Sequence, residues 1–225
     1  MKKKFGKRNT KMTEPRVEVF YSLQSDYCYF LLDRLLKLNA KGVEVVIRPV
    51  LGGVLRMPEK FSERDKFEQN YFVADTMRVA EYLNLPYEYP DPSPIEFKRN
   101  SLWIAEAEQP RNENLYQLFV GSVRSGNGLN FLDKVSRRLW DGSTPGWDHG
   151  DHLRVAMAEA GLSLAAVLQD TPWTSAKSEL DQNAEDMLKA GHWGVPLLVF
   201  NGEPFYGQDR FDLLLWRMKN AGALK

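Results

Sequence analysis

Residues 17–50 alternate between strand and helix patterns in a way that leaves few folds open to the chain. The stretches "VEVFYSL" and "VEVVIRPV", at 17–23 and 43–50, are rich in β-branched and aromatic residues and predict two strands. From Asp26 onward apolar residues recur at steps of three and four, and Gly42 follows as a stop signal, which predicts a helix. Together they predict a βαβ unit with parallel strands and a right-handed crossover.

The C-terminal part of the chain returns to strand patterns. "VPLLVF" at 195–200 is followed by Asn-Gly and "EPFYG", which predicts a hairpin with a tight turn. A last helix is then expected to begin near Gln208 or Asp209. The βαβ unit and this ββα unit are the two halves of a thioredoxin fold. We therefore predict an α/β thioredoxin fold with a helical domain inserted between the halves.

The middle of the chain shows helical periodicity without strand alternation, apart from a proline-rich loop at 85–94. Helices are expected at 62–84 and near 100–109, 112–125, 129–140, 151–160 and 174–190. The chain is accordingly divided into three parts: a disordered basic tail (1–16), a thioredoxin-like domain (17–58 and 192–225) and a helical insertion domain (59–191).

Charge is unevenly spread along the chain. The 30 basic and 30 acidic residues cancel, but residues 1–16 carry seven Lys/Arg against one Glu, so the remainder is acidic. An acidic body gives no reason to expect a nucleic-acid partner. The tail lacks the apolar stretch of a secretory signal, and we expect a solvated extension, with nucleic-acid or membrane-surface binding as the alternative. No apolar run is long enough to predict a membrane span.

Ser25 and Cys28 stand where the first strand gives way to the first helix. Their spacing is that of a Cys-x-x-Cys redox pair in which a hydroxyl replaces the first sulfur. The free N–H groups and the dipole of a helix N-terminus stabilise an anion, so Ser25 can donate to a thiolate that a bound molecule supplies. A plain N-cap is the alternative for Ser25, and Cys28 is interpreted as a small packed side chain.

Cys28 is also the one cysteine of the chain. No internal disulfide can form, which favours a reducing compartment, and we expect the cytoplasm.

Two further positions are candidates for ligand contacts. A cis bond between Val195 and Pro196, at the start of a strand, would leave the Val195 backbone free to pair with an extended peptide; a trans proline is the alternative. Gln208 and Asp209 can bind the amino-acid end of a ligand, since Asp209 accepts from an ammonium and a helix N-terminus takes a carboxylate. Capping by Asp209 is the alternative.

Metal and nucleotide sites are not expected. His149 and His152 lie beside aspartates, but no further ligand follows at a familiar spacing, and Asp151 is interpreted as an N-cap. His192 has no paired nucleophile, and the chain contains neither a P-loop nor a Gly-x-Ser-x-Gly motif.

Three motifs in order resemble those of kappa-class glutathione transferases and 2-hydroxychromene-2-carboxylate isomerases: "FYSLQSDYCYF", "IRPVLGG" and "GHWGVPLLVFNGEPFYGQDRFDLL". The resemblance covers roughly residues 17–218 and agrees with a thioredoxin fold that carries a helical insertion. It implies glutathione as the cofactor, a small-molecule substrate and a homodimer.

The resemblance also implies roles for individual residues. Ser25 matches the serine that hydrogen-bonds the glutathione thiolate. Val195 and Pro196 match the cis-proline segment that pairs with the cysteinyl backbone of glutathione, and Gln208 and Asp209 match the pair that holds its γ-glutamyl group. The other matches line the substrate side: Arg48, Pro49, Gly52 and Gly53.

Departures from the family pattern bear on glutathione binding. At the usual Ser-Pro-Tyr-Ser turn, Asp26 replaces the proline and Cys28 the second serine. An aspartate there either raises the pKa of the bound thiol or caps the helix and faces water. After the two glycines, "VLRMPEKFSERDKF" stands where the family often has an Asn-containing segment.

We predict a glutathione-dependent isomerase that acts on an intermediate of aromatic degradation, with the glutathione thiolate held by Ser25 as nucleophile. The alternatives are a kappa-type glutathione transferase and a non-catalytic binding protein of the same fold. A thiol–disulfide oxidoreductase is disfavoured because the nucleophilic cysteine is absent. Aromatic residues of the insertion are expected to wall the substrate pocket or to pack in the core, among them Tyr71, Phe72 and Trp103.

Overall fold

The computed structural model describes residues 15–101 and 103–224. Its single sheet has four strands: β1 (Arg16–Tyr21), β2 (Glu44–Pro49), β3 (Leu197–Phe200) and β4 (Glu203–Tyr206). The strand order is β2–β1–β3–β4, with β1 and β2 parallel and β3 antiparallel to both β1 and β4. This topology confirms the predicted thioredoxin fold. Residues 1–14 of the predicted disordered tail lie outside the described residues, whereas the Pro15 carbonyl accepts from the Glu44 N–H and Arg16 already belongs to β1.

Helices connect and flank the sheet as predicted for the βαβ unit and the ββα unit. α1 (Asp26–Ala40) is the crossover between β1 and β2, and α11 (Phe211–Asn220) follows β4 after a 3₁₀ turn at Gln208–Arg210. Gly42 ends the crossover with a φ of 83°, a left-handed conformation that glycine adopts without a steric penalty. The ends of β1 and β2 and the start of β3 therefore meet at one corner, beside the first turn of α1.

The segment between β2 and β3 contains nine α-helices within the described residues, and a π-helical stretch (Leu132–Ser136) joins the fifth to the sixth. They are α2 (Gly53–Arg56), α3 (Pro58–Ser62), α4 (Lys66–Leu83), α5 (Pro110–Arg124), α6 (Gly128–Phe131), α7 (Arg137–Trp140), α8 (His152–Glu159), α9 (Leu164–Asp170) and α10 (Trp173–Lys189). None of the helices in the described part of the chain has the length and apolar character to cross a membrane.

The insertion differs from the sequence prediction at one expected helix and at three short helices. The helix expected near 100–109 is wrong: Ser101 Oγ accepts from the N–H groups of Trp103 and Ile104, a local bond that favours a turn, and Phe97 bridges Ala105 instead. The short helices α2, α3 and α9 were not predicted.

One apolar core extends from the sheet into the insertion. Val19 of β1 and Leu31 of α1 are fully buried in the same cluster as Leu115 and Phe119 of α5. A buried hydrogen bond of 2.9 Å between Tyr21 Oη and Ser136 Oγ also joins the sheet to the insertion. The insertion therefore packs directly behind the corner that carries Ser25.

Candidate active site

Ser25 caps α1 and retains a hydrogen-bond donor for a ligand. Its Oγ accepts from the N–H of Cys28 at 3.4 Å, and its backbone is extended, as is typical of an N-cap. A serine hydroxyl has one donor besides its two acceptor lone pairs. The capping bond uses an acceptor, so the predicted cap and the predicted thiolate contact are compatible in one side chain.

Cys28 lies behind Ser25 and is fully buried. Its Sγ accepts a weak hydrogen bond from the N–H of Ser22 at 3.4 Å. Burial raises the pKa of the Cys28 thiol to about 12, so the thiol is neutral at physiological pH. This confirms the interpretation of Cys28 as a packed side chain and argues against it as a nucleophile.

The insertion fixes the turn at the end of β1 with buried hydrogen bonds. The hydroxyl of Tyr116, on α5, contacts Ser22 Oγ at 2.9 Å, accepts from the Leu23 N–H at 3.2 Å and donates to the Val50 carbonyl at 3.0 Å. Trp140 Nε1 donates to the Leu23 carbonyl at 3.0 Å. These bonds tie the segments that follow β1 and β2 together and hold the start of α1 in place.

Gln24 bridges the same turn to the segment after β2, although no motif in the sequence pointed to it. Its side-chain carbonyl accepts from the N–H of Gly52, and its amide donates to Asn112 of α5. A Cβ at Gly52 would lie 2.4 Å from Gln24 Oε1, and a Cβ at Gly53 would lie 2.4 Å from the ring of Phe61. Close packing therefore requires both glycines.

The Val195–Pro196 peptide bond faces this corner and is cis, which is the alternative that the resemblance implied. The Pro196 carbonyl accepts from the N–H of Gly207 at 2.9 Å. The N–H and carbonyl of Val195, in contrast, form no hydrogen bond with any described residue. Both groups are therefore available to an extended ligand.

Aromatic stacking supports the segment before the cis-proline. The ring of Tyr206 lies 3.7 Å from that of His192, and it covers Gly194 so closely that a Cβ there would approach it to 2.4 Å. His192 Nδ1 accepts from the Gly194 N–H at 2.8 Å. Burial lowers the pKa of the His192 imidazole, so the ring is neutral and holds the loop in place.

A cavity of about 180 Å³ opens beside Ser25 and carries positive charge. Arg56 lines it and donates to the carbonyls of Leu51 and Trp193 at 2.7 and 2.9 Å, not to a carboxylate. Burial lowers the pKa of Arg56, the direction expected of a cation that lacks a counter-ion. Arg64 lines the cavity as well. The segment that departs from the family pattern thus places two arginines at the site.

A second cavity of about 220 Å³ adjoins the first and is largely apolar. Phe72 and Trp103 line both cavities, as predicted for the substrate pocket, whereas Tyr71 lines neither and is 65% exposed. We call this second space the aromatic cavity. Its remaining walls include Tyr89, Pro90, Ser93, Pro94, Phe97 and Trp140.

Asp26 lies at the junction of the Ser25 cavity and the aromatic cavity and is only 3% exposed. Its Oδ1 accepts from the Tyr27 N–H at 2.8 Å and its Oδ2 from the Tyr87 hydroxyl at 3.3 Å. Burial raises the pKa of the Asp26 carboxyl to about 7. Of the two alternatives for this residue, the one in which it caps the helix and faces water is therefore wrong, since Ser25 is the cap and Asp26 is buried.

A third, open cavity of about 550 Å³ continues from the Ser25 cavity on its other side. Tyr27, Val195 and Tyr206 line both spaces, so the two form one groove. The far end of the groove is formed by the 3₁₀ turn, Gln208–Arg210.

The groove end presents donors and acceptors suited to an amino-acid group. Arg34 donates to the main-chain and side-chain carbonyls of Gln208, which leaves the Gln208 amide NH₂ without a partner among the described residues. The Asp209 side chain is 60% exposed, lies 3.4 Å from Arg210 and makes no capping bond. The structure thus brings Ser25, the cis-proline and the Gln208–Asp209 pair to one groove.

Arg48 and Pro49 lie apart from this groove. Arg48 pairs with Asp186 of α10, and the Pro49 carbonyl accepts from Asn183 Nδ2 at 2.9 Å. Neither residue lines the Ser25 cavity, the aromatic cavity or the open cavity. In the structure both residues attach β2 to α10, and their predicted contact with substrate has no support in this geometry.

Solved structures of the same fold cover almost the whole chain. A 2-hydroxychromene-2-carboxylate isomerase aligns with 17% identity and a TM-score of 0.65 over 92% of this chain and 95% of that chain. A probable DsbA oxidoreductase from Streptomyces coelicolor aligns with 17% identity and a TM-score of 0.62 over 94% and 92%. The cytosolic disulfide reductase DsbM from Pseudomonas aeruginosa, solved with GSH, aligns with 13% identity and a TM-score of 0.53 over 91% and 99%.

These structural likenesses lie below 25% identity and establish the fold alone. No curated protein matches the chain. The model of the DSBA-like thioredoxin domain family matches residues 16–219, which include both halves of the thioredoxin fold and the whole insertion. That extent confirms the resemblance suspected from the three motifs, and the chain belongs to the DSBA-like thioredoxin domain family.

Proposed function

We propose that the protein is a glutathione-dependent isomerase that acts on an intermediate of aromatic degradation. The observation that carries the proposal is the groove in which the hydroxyl donor of Ser25 and the unpaired backbone groups of Val195 lie together. The protein's own sulfur, Cys28, is buried behind that groove. The groove is thus suited to a thiol that arrives with a peptide ligand.

The residues present fit glutathione. Val195 offers an N–H and a carbonyl to a peptide backbone, while Asp209 offers a carboxylate to an ammonium and Gln208 an amide NH₂ to a carboxylate. Arg56 and Arg64 stand where family members often have an Asn-containing segment, and they favour an anionic ligand in the Ser25 cavity.

When bound, glutathione would supply a thiolate nucleophile for reversible addition to a conjugated carbon, which is the chemistry that isomerisation of a double bond needs. The Ser25 O–H and the N-terminal dipole of α1 stabilise negative charge on the sulfur and lower the pKa of the thiol. The aromatic cavity binds the ring-derived part of the substrate and excludes water. The two arginines of the Ser25 cavity hold an anionic group of the substrate or of glutathione.

A kappa-type glutathione transferase uses the same groove and differs in that the sulfur stays on the product. Disulfide chemistry of the kind named in several relatives needs a reactive thiol, and the buried Cys28, with a pKa raised to about 12, argues against it. A free glutathione thiol calls for a reducing compartment, so we place the enzyme in the cytoplasm. The homodimer implied by the resemblance stays a prediction.

Calorimetry with millimolar glutathione tests the binding part of the proposal in a Cys28→Ser background, which carries no protein thiol. We expect saturable heat, and Ser25→Ala should bind glutathione within about threefold of the parent. The bound thiol of that variant should titrate about one to two pH units higher, since a hydrogen bond to a charged group contributes about 1.5–3 kcal/mol. Thiolate absorbance reports the titration. If glutathione produced neither heat nor a shift in Tm in the parent, the isomerase proposal would be contradicted, and the alternative of a non-catalytic binding protein would be favoured.

Activity is tested with 2-hydroxychromene-2-carboxylate as the probe. The proposal expects turnover that depends on glutathione, with free glutathione recovered unchanged. A stable glutathione adduct as the product would instead identify a transferase.

A further inference from the structure

We propose that Asp26 is the proton donor and acceptor for a substrate bound in the aromatic cavity. The inference rests on the proposed isomerase function and adds a catalytic residue to it. Family members usually carry a proline at this position, so the role belongs to this chain's own sequence.

The placement of Asp26 is the first argument. Six residues line both the Ser25 cavity and the aromatic cavity, and Asp26 is the only ionisable one among them. Ser25, its neighbour in the chain, lines the Ser25 cavity alone. A substrate that spans the aromatic cavity and the Ser25 cavity would therefore lie beside Asp26.

The surroundings of Asp26 are the second argument. Its hydrogen-bond partners are the Tyr27 N–H and the Tyr87 hydroxyl, with no cation among them. A buried carboxyl without a counter-ion is stable in its neutral form, and its pKa near 7 lets it hold and release a proton at physiological pH. The titratable or charged groups that face it are Tyr27 and Cys28 on α1, Asp75 on α4, Tyr87 and Tyr89 after α4, and Arg56 and Arg64 across the Ser25 cavity.

Asp26 also explains how an acid can lie next to a thiolate site. A neutral carboxyl does not repel a neighbouring sulfur anion, whereas a carboxylate does. Negative charge at Ser25 therefore favours the protonated form of Asp26. The Asp26 carboxyl is therefore protonated when the sulfur at Ser25 is ionised.

The proton transfer balances without an external oxidant or reductant. As a nucleophile adds to a conjugated carbon of the substrate, the electron pair moves to the substrate's carbonyl oxygen. The O–H bond of Asp26 breaks and a new O–H bond forms at that oxygen. After rotation the Asp26 carboxylate takes the same proton back, the carbonyl is restored and the nucleophile leaves. The substrate class is thus a ketone or keto acid conjugated with a double bond.

The experiment compares Asp26→Asn with the wild type and with Asp33→Asn, an α1 carboxylate that pairs with Arg137 and lines none of the three cavities. Asp26→Asn keeps the shape of the side chain but cannot transfer a proton. We expect kcat on 2-hydroxychromene-2-carboxylate to fall about 100-fold or more, with the Kd of glutathione within threefold. Asp33→Asn should stay within twofold in both. The wild-type kcat should decline as pH rises through the pKa of Asp26.

A second variant, Tyr87→Phe, keeps the carboxyl and removes the hydroxyl that stabilises its ionised form. The alkaline decline of kcat should then move to higher pH. Carboxyl ¹³C NMR on the protein without glutathione should report the same upward shift of the Asp26 titration, with the resonance assigned by its absence in Asp26→Asn. A purely structural role for Asp26 would leave the pH profile unmoved.

The outcomes separate the two proposals. Absence of glutathione-dependent turnover in the wild type overturns the isomerase function and this inference with it. Turnover in the wild type together with undiminished kcat in Asp26→Asn, or a pH profile unchanged in Tyr87→Phe, overturns the role of Asp26 alone.

Discussion

Asp26 and Asp209 are the same residue type, and both stand at the start of a helical segment at opposite ends of one groove. Asp26 is 3% exposed, contacts two tyrosines and borders an aromatic cavity. Asp209 has a side chain that is 60% exposed and lies beside Arg210. Burial without a counter-ion raises the pKa of Asp26 to about 7, which suits proton transfer, whereas a solvated carboxylate suits the recognition of a cationic group.

The contrast follows from which part of the chain builds each end. The insertion covers the Ser25 end: Tyr116 and Trp140 hold its turn, and Phe72 and Trp103 supply aromatic walls. At the Gln208–Asp209 end most of the lining belongs to the thioredoxin half, with Asp75 and Val79 contributed by α4, and the cavity is open. An aspartate at the N-terminus of a helical segment can therefore be buried or exposed. Its chemistry depends on what packs over it.

The largest effect on stability is expected for Asp26→Asn as a function of pH. Because the folded state raises the pKa of this carboxyl from 3.8 to about 7, it binds more protons than the unfolded state between those values, and stability must fall as pH rises through that window. The Asn variant has no such proton to lose, so its free energy of unfolding relative to wild type should rise by roughly 3–4 kcal/mol between pH 4 and pH 8.

Urea denaturation at pH 4, 6 and 8 measures this difference. Taking wild type and variant at the same pH cancels the titration of every other group. A difference that stays constant across the three pH values would mean that Asp26 is not desolvated, and the contrast between the two ends of the groove would disappear.

A smaller loss of stability is expected when the support of the buried end is removed with Tyr116→Phe. The Tyr116 hydroxyl forms hydrogen bonds with Ser22, Leu23 and Val50 in a fully buried site. A buried group that loses its hydrogen-bond partner lowers the free energy of unfolding by about 1–3 kcal/mol. Tyr29→Phe is the matched control, since its hydroxyl makes a single bond to the Pro86 carbonyl. Differential scanning calorimetry should show a larger drop in Tm for Tyr116→Phe. Equal drops would mean that the insertion does not hold the turn.

The sequence was sufficient to predict the thioredoxin topology and the packed state of Cys28, and the resemblance implied the cis bond before Pro196 that the residues alone left open. These features depend on periodicity and on local motifs that lie within a few residues of one another. The wrong helix near 100–109 shows the limit, because a serine side chain that bonds to the following N–H groups favours a turn over helical periodicity.

The environment of the site was beyond sequence reasoning for another reason. The burial of Asp26 depends on Tyr87, which is 61 residues away in the chain, and Gln24 became visible only through its bonds to Gly52 and Asn112. Arg48 shows the reverse case: its motif matched, but its partner is Asp186 of α10. Long-range pairing of this kind decides whether a motif residue reaches the groove.

The smallest effect is expected at the open end, for Asp209→Asn. An exposed ion pair contributes about 0.2–1 kcal/mol, so the Kd of glutathione should rise only about two- to fivefold at low salt. The difference should disappear at 1 M salt, where charges are screened within about 3 Å.

Asp212→Asn is the matched control, since it removes an exposed carboxylate that lines none of the three cavities. Calorimetry at two salt concentrations measures both variants. An equal loss in Asp212→Asn would indicate a general effect of net charge. A large loss in Asp209→Asn that salt does not reduce would mean that this end closes over its ligand, and the two aspartates would then differ less than their exposure implies.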